Sequence, residues 1–236
     1  MKRFYNTVTI KHDPHDDRNA WLIMLDDKPV KTPVKNPLKT IHKALAEKIR
    51  FEWDLEEGAG INPAAMPYTR ILSTQIDKVV ASKDDTKDGI IKYCDSDLLC
   101  YQVDEPEKLA EWQAERWTPH IKWVDEIFGV SYAITQAITF QPQSRKIHDS
   151  VRKYLDDLND ESLTIAHLLT PLSGSIILTI AFLEKKISPE EILTACRLEE
   201  LYKASLYGQN DSEIELKHQA LLTEFRTFRE YLDAAA

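Results

Sequence analysis

Residues 93–101, YCDSDLLCY, place two thiols and two carboxylates within seven residues of one another. Such a group could form a redox pair or a metal site, so the spacing of Cys94 and Cys100 matters. In a helix these residues lie about 240° apart around the axis and roughly 9 Å apart along it, and in a strand they lie roughly 20 Å apart. A disulfide needs Cα atoms within about 7 Å, and zinc knuckles use about two to four intervening residues and a second ligand pair. The spacing therefore favours buried cysteines with a packing role.

A second cluster of metal-binding residue types occurs at residues 12–17, HDPHDD. Imidazole and carboxylate groups ligate many divalent metals, so one hypothesis is a metal-dependent or small-molecule hydrolase that uses His12, His15 and nearby carboxylates. The alternative is a solvated polar turn between two strands. The sequence contains no GxxxxGK(S/T), GxGxxG, HExxH or GxSxG motif and only 6 glycines. It therefore predicts no catalytic residue, no cofactor and no bound metal.

Composition restricts the class of protein. The 236 residues carry 39 acidic and 30 basic side chains, a net charge of −9, which argues against nucleic-acid binding because phosphate contacts need a basic face. An odd number of cysteines suits a reducing compartment.

The N-terminal residues lack the apolar segment of a signal peptide, and the most apolar run, residues 173–183, is much shorter than the roughly 20 residues of a membrane-spanning helix. We expect a soluble protein without membrane insertion, cytoplasmic in a bacterium, or in the mitochondrial matrix if this is a mature organellar form.

The periodicity of apolar residues predicts an α+β fold with two domains. The first segments alternate in the β pattern, with a turn predicted at Asp26-Asp27-Lys28-Pro29. They are followed by one helix, with Ile41, Leu45 and Ile49 on one face. After a linker rich in glycine, proline and alanine, helical periodicity dominates. We expect a small N-terminal β-rich domain that includes one helix over residues 1–60, and a larger, mainly α-helical domain over residues 61–236.

Capping residues predict several helix limits in the second domain. Thr118 and Pro119 predict that one helix ends and that a new helix begins with proline in its first turn. The following stretch FGVSYAITQAITF interrupts the helical pattern and predicts an extended segment. Ser188, a first-turn proline and Glu191 form a capping box, and that helix is expected to run to about Leu206. The apolar run after Leu172 predicts a buried helix, and the C-terminal residues alternate as in an amphipathic helix.

Nine stretches, in order along nearly the whole chain, carry a family signature. They are Arg3-Phe4-Tyr5; Asp26-Asp27-Lys28-Pro29-Val30-Lys31-Thr32-Pro33; Ala44-Leu45-Ala46-Glu47; Glu52-Trp53-Asp54; Met66-Pro67-Tyr68-Thr69-Arg70 with Thr74 and Ile76-Asp77; Asp97-Leu98-Leu99-Cys100-Tyr101; Trp117-Thr118-Pro119 with Trp123; Leu172-Ser173-Gly174-Ser175; and Arg197-Leu198-Glu199-Glu200 with Tyr207-Gly208. Together they resemble the F-type ATP synthase assembly chaperones that act on the alpha subunit of the catalytic head. The chain departs from that family at Ser73, usually asparagine, at Tyr207, usually tryptophan, and at Lys203 and Ser205, where the family helix is more acidic. Of the two cysteines in YCDSDLLCY, only Cys100 belongs to the family motif.

The resemblance implies a binding function without catalysis. Chaperones of this family hold the unassembled alpha subunit until the beta subunit replaces it, so the implied partner is the alpha subunit. We expect the chain to act as a monomer, without nucleic acid. The implied architecture, a small β-rich domain before a larger helical one, agrees with the periodicity.

The resemblance also implies two sets of site residues. A late-helix acidic position is linked to chaperone function in the family, and Glu199 and Glu200 both match it. The partner-binding set is Glu199, Glu200, Tyr207, Arg70 and Asp77. The structural set is Met66, Pro67, Thr69, Thr74, Asp97, Leu98, Leu99, Cys100, Tyr101, Ser173 and Gly174.

Each assignment has a structural alternative. Glu199 and Lys203 are spaced as an i,i+4 ion pair on an ordinary solvated helix. Arg70 and Asp77, with Thr74 between them, have helical spacing and could form a hydrogen-bonded strip that fixes the helix rather than touching a partner. Ser173 and Gly174 are expected to allow close packing of an apolar helix.

Overall fold

The structure is a computed structural model that describes residues 2–137, 139–207 and 212–236. The chain forms two compact units: unit 1 comprises Met1–Lys83 and Thr227–Ala236, and unit 2 comprises Asp84–Arg226. The predicted order, a small β-rich region first and a larger helical region after it, is confirmed, and the strands form an antiparallel sheet. The domain boundary after residue 60 remains a prediction, and the compact units place residues 61–83 together with the sheet.

Unit 1 contains a small antiparallel sheet with a central second strand. The strands are β1 Val8–His12, β2 Trp21–Leu25, β3 Lys28–Pro29 and β4 Lys39–Thr40. β1 pairs with β2 so that Ile10 lies opposite Ile23, while β3 and β4 pair with opposite ends of β2. The predicted turn between β2 and β3 is confirmed. Asp26 adopts φ 52° there, a conformation that Asp tolerates better than most residues.

Helices and short helical turns follow the sheet in unit 1. α1 spans Lys43–Trp53 and buries Leu45 and Ile49 against β1 and β2. Ile41 was predicted on the same stripe, but it precedes the helix and is 44% exposed. A short 3-10 turn, Pro63–Ala65, leads into α2, Pro67–Thr74, which continues through a π turn, Gln75–Val79, and a 3-10 turn, Val80–Ser82.

The end of the last helix belongs to unit 1. α10 spans Ser212–Ala234, and its buried Tyr231 donates a hydrogen bond from its hydroxyl to Gln75 Oε1 at 2.6 Å. Glu230 accepts hydrogen bonds from Lys48 Nζ at 3.0 Å and from the Tyr68 hydroxyl. The expected amphipathic pattern is confirmed in this part of the helix, where Phe228 is also buried.

Unit 2 is built around a buried apolar helix. α7, Ile176–Leu183, is buried at every position from Ile176 to Phe182 and packs against α4, α6 and α8, as the sequence predicted. None of the helices in the described residues is long and apolar enough to cross a membrane. The other helices are α3 Lys83–Ile91, α4 Glu107–Phe128, α5 Arg145–Asp156, α6 Asp160–Ser173, α8 Pro189–Cys196 and α9 Leu198–Tyr207, with 3-10 turns at Lys92–Ser96 and Leu98–Cys100.

The predicted helix boundary at Thr118 is wrong, because α4 runs through it with Pro119 in its interior. Buried Trp117 and Ile121 lie on either side of the proline, and the Trp117 indole N–H donates to the Ala195 carbonyl at 2.9 Å. An interior proline costs about 3 kcal/mol, and burial of two large side chains offsets that cost. The extended stretch predicted after α4 forms, among its described residues, one isolated bridge to residue 101.

Candidate functional site

Two of the family motifs meet at a buried junction in unit 2. The Asp97 carboxylate is fully buried and accepts hydrogen bonds from the N–H groups of Leu99 and Ile177, each at 3.0 Å. The Leu98 N–H donates to the Gly174 carbonyl at 2.9 Å. One carboxylate therefore caps the short 3-10 turn of the DLLCY motif and the N-terminus of α7 together.

Burial raises the pKa of Asp97 to about 6, because desolvation disfavours the ionised form. Hydrogen bonds from Ile177, Ser175, Leu99 and Ile176 act in the opposite direction. The balance makes this carboxylate sensitive to protonation in the mildly acidic range.

The predicted position of Ser173 and Gly174 inside one apolar helix is wrong. Ser173 ends α6, and Gly174 has φ 70°, in the left-handed region. Ser175 then caps α7, its Oγ accepting the Leu178 N–H at 3.0 Å. A Cβ at position 174 would lie 3.8 Å from Leu98 Cβ, an ordinary contact. The backbone conformation, rather than close packing, therefore requires glycine here.

All three cysteines are free and buried. Burial raises the pKa of Cys94 to about 12, with the charges of Asp97 and Asp95 adding to the effect. Burial likewise raises the pKa of Cys196 to about 11 and that of Cys100 even further. Because the thiolate is the reactive form, these thiols are poor nucleophiles. The expected burial of Cys94 and Cys100 is confirmed.

The second acid of the opening stretch is also engaged internally. Asp95 Oδ1 accepts the Gln143 N–H at 2.7 Å, and Asp95 Oδ2 lies 3.1 Å from His148 Nε2. The Tyr101 hydroxyl donates to the Asp95 carbonyl at 2.9 Å. These contacts, with the Thr135 N–H bonded to the Cys100 carbonyl at 2.8 Å, hold the segment after α4 against the DLLCY motif.

The turn at residues 12–17 is organised by a lysine. Lys39 Nζ lies 2.6 Å from Asp13 Oδ2 and 2.9 Å from Asp16 Oδ2, and its hydrogen bonds lower the pKa of both carboxyls. The His12 ring packs on the Trp21 indole, with ring centroids 3.7 Å apart. The His15 backbone N–H donates to the Asp13 carboxylate. No group of three or more His, Cys, Asp or Glu within the described ranges could hold a metal ion. The arrangement is that of the polar turn between two strands, and the described residues contain no group of metal ligands that would support the hydrolase hypothesis.

In unit 1 the start of α2 is capped by a carboxylate from α1. Glu52 accepts hydrogen bonds from the N–H groups of Tyr68 at 2.6 Å and Thr69 at 2.8 Å, and from the Thr69 hydroxyl at 2.6 Å. Met66 is buried beside this cap, and Pro67 occupies the first helical position, where its missing N–H costs nothing. Two family motifs that are separate in sequence thus form one capped helix start.

The polar strip on α2 is used partly inside the molecule. Asp77 lies in the π turn and accepts hydrogen bonds from three groups of loop 32–36, including the Thr32 hydroxyl at 2.7 Å. The Thr74 hydroxyl donates to the Arg70 carbonyl at 3.0 Å, while the Arg70 residue is exposed. Asp77 therefore fixes a loop of unit 1, and partner binding by Arg70 and Asp77 stays a prediction.

The capping box at Ser188 is confirmed, but the single helix predicted after it is two helices, α8 and α9. Arg197 stands between them with φ −117° and ψ 21°. Its guanidinium donates to the carbonyls of Cys196 at 3.1 Å and Leu172 at 3.2 Å, which lie in the last turns of α8 and α6. A positive charge is favourable at helix C-termini, so Arg197 stabilises the break.

Glu199 faces the interior of unit 2. It is half-buried, and its Oε1 lies 3.3 Å from the amide nitrogen of Gln113. Gln113 is itself fully buried and accepts the Val103 N–H at 2.8 Å. The alternative ion pair with Lys203 is not among those that the described residues form. The Glu199 carboxylate therefore supports the α4–α9 contact.

Glu200 faces solvent, with its side chain 52% exposed. Its Oε2 lies 2.9 Å from His218 Nε2 on α10, and its Oε1 lies 3.7 Å from Arg197 Nε. It lines a surface cleft of about 480 Å³, together with Arg197, Lys217, His218, Ala220, Leu221 and Glu224. Of the two acids that the sequence could not rank, Glu200 is the accessible one.

The remaining predicted site residue, Tyr207, ends α9, and its side chain lies outside the described part of the structure, as does Gly208. Two important side chains were not singled out from sequence as site residues: Gln113 and His218. Both interrupt an apolar stripe with a polar group. A polar residue at a core-facing position is the signal that could have identified them.

Comparison with known proteins places this geometry in a family. Residues 2–125 match the model of the ATP12 chaperone protein family. The crystal structure of Atp12 from Paracoccus denitrificans is similar with a TM-score of 0.88 and 31% identity, covering 100% of this chain and 98% of that one. A single-residue mutant of the same protein has a TM-score of 0.87 and 31% identity, covering 100% of this chain and 98% of that one. A candidate chaperone from Agrobacterium tumefaciens has a TM-score of 0.88 and 29% identity, covering 100% of this chain and 86% of that one. The chain therefore belongs to the ATP12 chaperone family, the ATP synthase assembly chaperones that its sequence resembles.

Proposed function

We propose that this chain is a monomeric assembly chaperone that binds the unassembled alpha subunit of the F-type ATP synthase and shields its interface until the beta subunit replaces it. The observation that carries the proposal is the likeness to Atp12 across 100% of the chain. The likeness covers both the sheet-containing and the helical residues.

The physical task fits a protein that works by contact. An unassembled subunit exposes an apolar interface that resembles half of a domain core and is liable to aggregate. A chaperone must cover that surface and still be displaced by the final partner. The carboxylate and thiols of the DLLCY region have structural roles. Asp97 caps a 3-10 turn and α7, and the three thiols are buried with raised pKa values. The chain acts, in this proposal, without catalysis and without a cofactor.

The partner-facing surface that we propose is centred on α9. Glu200 is the leading residue because it is exposed and lines a cleft, while Glu199 is directed to Gln113. Leu206, 52% exposed on the same helix, adds apolar area. Tyr207, Arg70 and Asp77 complete the proposed set on the strength of the resemblance.

The test is binding of the purified chain to isolated alpha subunit and, separately, to isolated beta subunit, with light scattering to follow aggregation of alpha. We expect a complex with alpha and suppressed aggregation. Indifference to alpha would remove the proposal.

A charge-reversal series then locates the surface. Glu199→Lys combined with Glu200→Lys should retain the wild-type circular dichroism spectrum and lose at least about tenfold in affinity for alpha, roughly 1.4 kcal/mol. Glu200→Lys alone should account for most of that loss. Asp149→Lys is the matched control, because this acid is 72% exposed on α5 and makes only a long contact of 3.9 Å. Unchanged binding by the double variant would exclude α9 from the interface.

A further inference from the structure

Glu200 has two partners within the chain, His218 and Arg197, and the lengths of the two contacts differ. Charge-assisted N–H···O bonds are typically about 2.7–2.9 Å long, so the contact to His218 at 2.9 Å is a good bond and the contact to Arg197 at 3.7 Å is not. Arg197 is held in place by its bonds to two helix-end carbonyls. One oxygen of Glu200 is therefore without a short bond from either of these partners.

The surroundings of Glu200 combine charge with apolar surface. The cleft of about 480 Å³ has Ala220 and Leu221 in its lining. Leu216, one turn before Ala220 on the same face of α10, is 65% exposed. Lys217 also lines the cleft but pairs with Glu213 at 2.7 Å. The cleft thus offers the half-exposed Glu200 carboxylate and a second acid, Glu224, next to aliphatic side chains, while its cations Arg197 and Lys217 have the internal partners given above.

We infer that this cleft receives an arginine side chain from an apolar segment of the client, and that His218 is the internal partner which the incoming guanidinium replaces at Glu200. The identity of the client rests on the proposed function. A guanidinium binds a carboxylate through two parallel N–H···O bonds, which uses both oxygens of Glu200, whereas the imidazole of His218 reaches one. The aliphatic part of an arginine and its apolar neighbours would cover Leu216 and Leu221.

Substitution of His218 tests the competition. His218→Leu should bind alpha about two- to fivefold more tightly, the range expected when one exposed side-chain contact to a carboxylate is removed, because Glu200 is released. In a Glu200→Gln background the same substitution should produce no gain. His148→Leu is the matched control: it removes a histidine–carboxylate contact of similar length, 3.1 Å, at a different place in unit 2.

Equal or weaker binding by His218→Leu would overturn the inference. A gain that persists in the Glu200→Gln background would also overturn it, because the effect would then be apolar and independent of the carboxylate.

A probe peptide separates this inference from the proposed function. N-acetyl-Leu-Arg-Leu-amide, titrated into the wild-type chain, should shift the NMR resonances of the His218 ring, while the isosteric citrulline peptide should not. If alpha fails to bind but the arginine peptide shifts His218, the proposed client is wrong and the cleft stands. If neither peptide shifts His218, or both do so equally, the arginine site is wrong whatever the result with alpha.

Discussion

Replacing Asp97 by asparagine tests how a buried carboxylate is held at the junction of the DLLCY motif and α7. Asparagine has the same shape, but one acceptor oxygen becomes an N–H₂ donor. At least one of the two backbone N–H groups, of Leu99 or Ile177, then faces a donor. A buried N–H without an acceptor costs about 1–3 kcal/mol, a large part of a total stability of about 5–15 kcal/mol.

The pH dependence gives the sharper result. Burial raises the folded-state pKa of Asp97 from 3.8 to about 6, so the folded state binds this proton more tightly than the unfolded state. The resulting stability is fully present below the unfolded pKa of 3.8 and is lost as the pH rises through 6. A shift of about two units corresponds to roughly 3 kcal/mol. The asparagine variant lacks this titration, so the wild-type advantage should be larger near pH 4 than near neutrality.

The assay is urea unfolding of both proteins at a series of pH values from about 4 to 8, with the free energy of unfolding obtained by linear extrapolation. Taking the difference between the two proteins cancels the titration of all other groups. A wild-type advantage that grows with rising pH would refute the reasoning, because the four hydrogen-bond donors would then outweigh burial. A constant difference would refute it as well.

Two further predictions concern local geometry and reactivity. Gly174→Ala should lower the free energy of unfolding by about 1–2 kcal/mol, because φ 70° is unfavourable for residues with a Cβ. The control is Gly89→Ala, in α3 with open space around the added Cβ, which should raise the free energy of unfolding by up to about 1 kcal/mol. Equal changes in stability for the two variants in thermal unfolding would contradict the argument. All three thiols should react with a chromogenic disulfide reagent near pH 8 only as fast as the protein unfolds, because their pKa values are raised. Immediate colour from the native protein would oppose this.

The parts of the fold that sequence predicted are those with local causes. The capping box at Ser188 was visible because its residues lie within one turn of helix. The turn after β2 was visible because two aspartates and a proline punctuate an apolar run. Burial of α7 followed from its composition, apolar at every position except Thr179, which can be recognised without knowledge of its neighbours.

The errors arose where distant contacts decide the local conformation. Pro119 reads as a helix start, but the bond from Trp117 to Ala195 and the packing around it keep α4 continuous, and those partners lie 78 residues away. The break at Arg197 has neither glycine nor proline to announce it, and it is stabilised partly by Leu172. The ranking of Glu199 and Glu200 likewise depended on Gln113 and His218, which belong to other helices.

The hydroxyl of buried Tyr231 bonds to Gln75, 156 positions earlier in the chain, and residues 227–236 belong to the same compact unit as the N-terminal sheet. Synthesis on the ribosome runs from the N-terminus, so the first strands emerge long before the helix end that closes their unit. Such a protein completes its own first unit only after translation has passed residue 231. This member of an assembly chaperone family therefore itself spends most of its synthesis with its first unit incomplete.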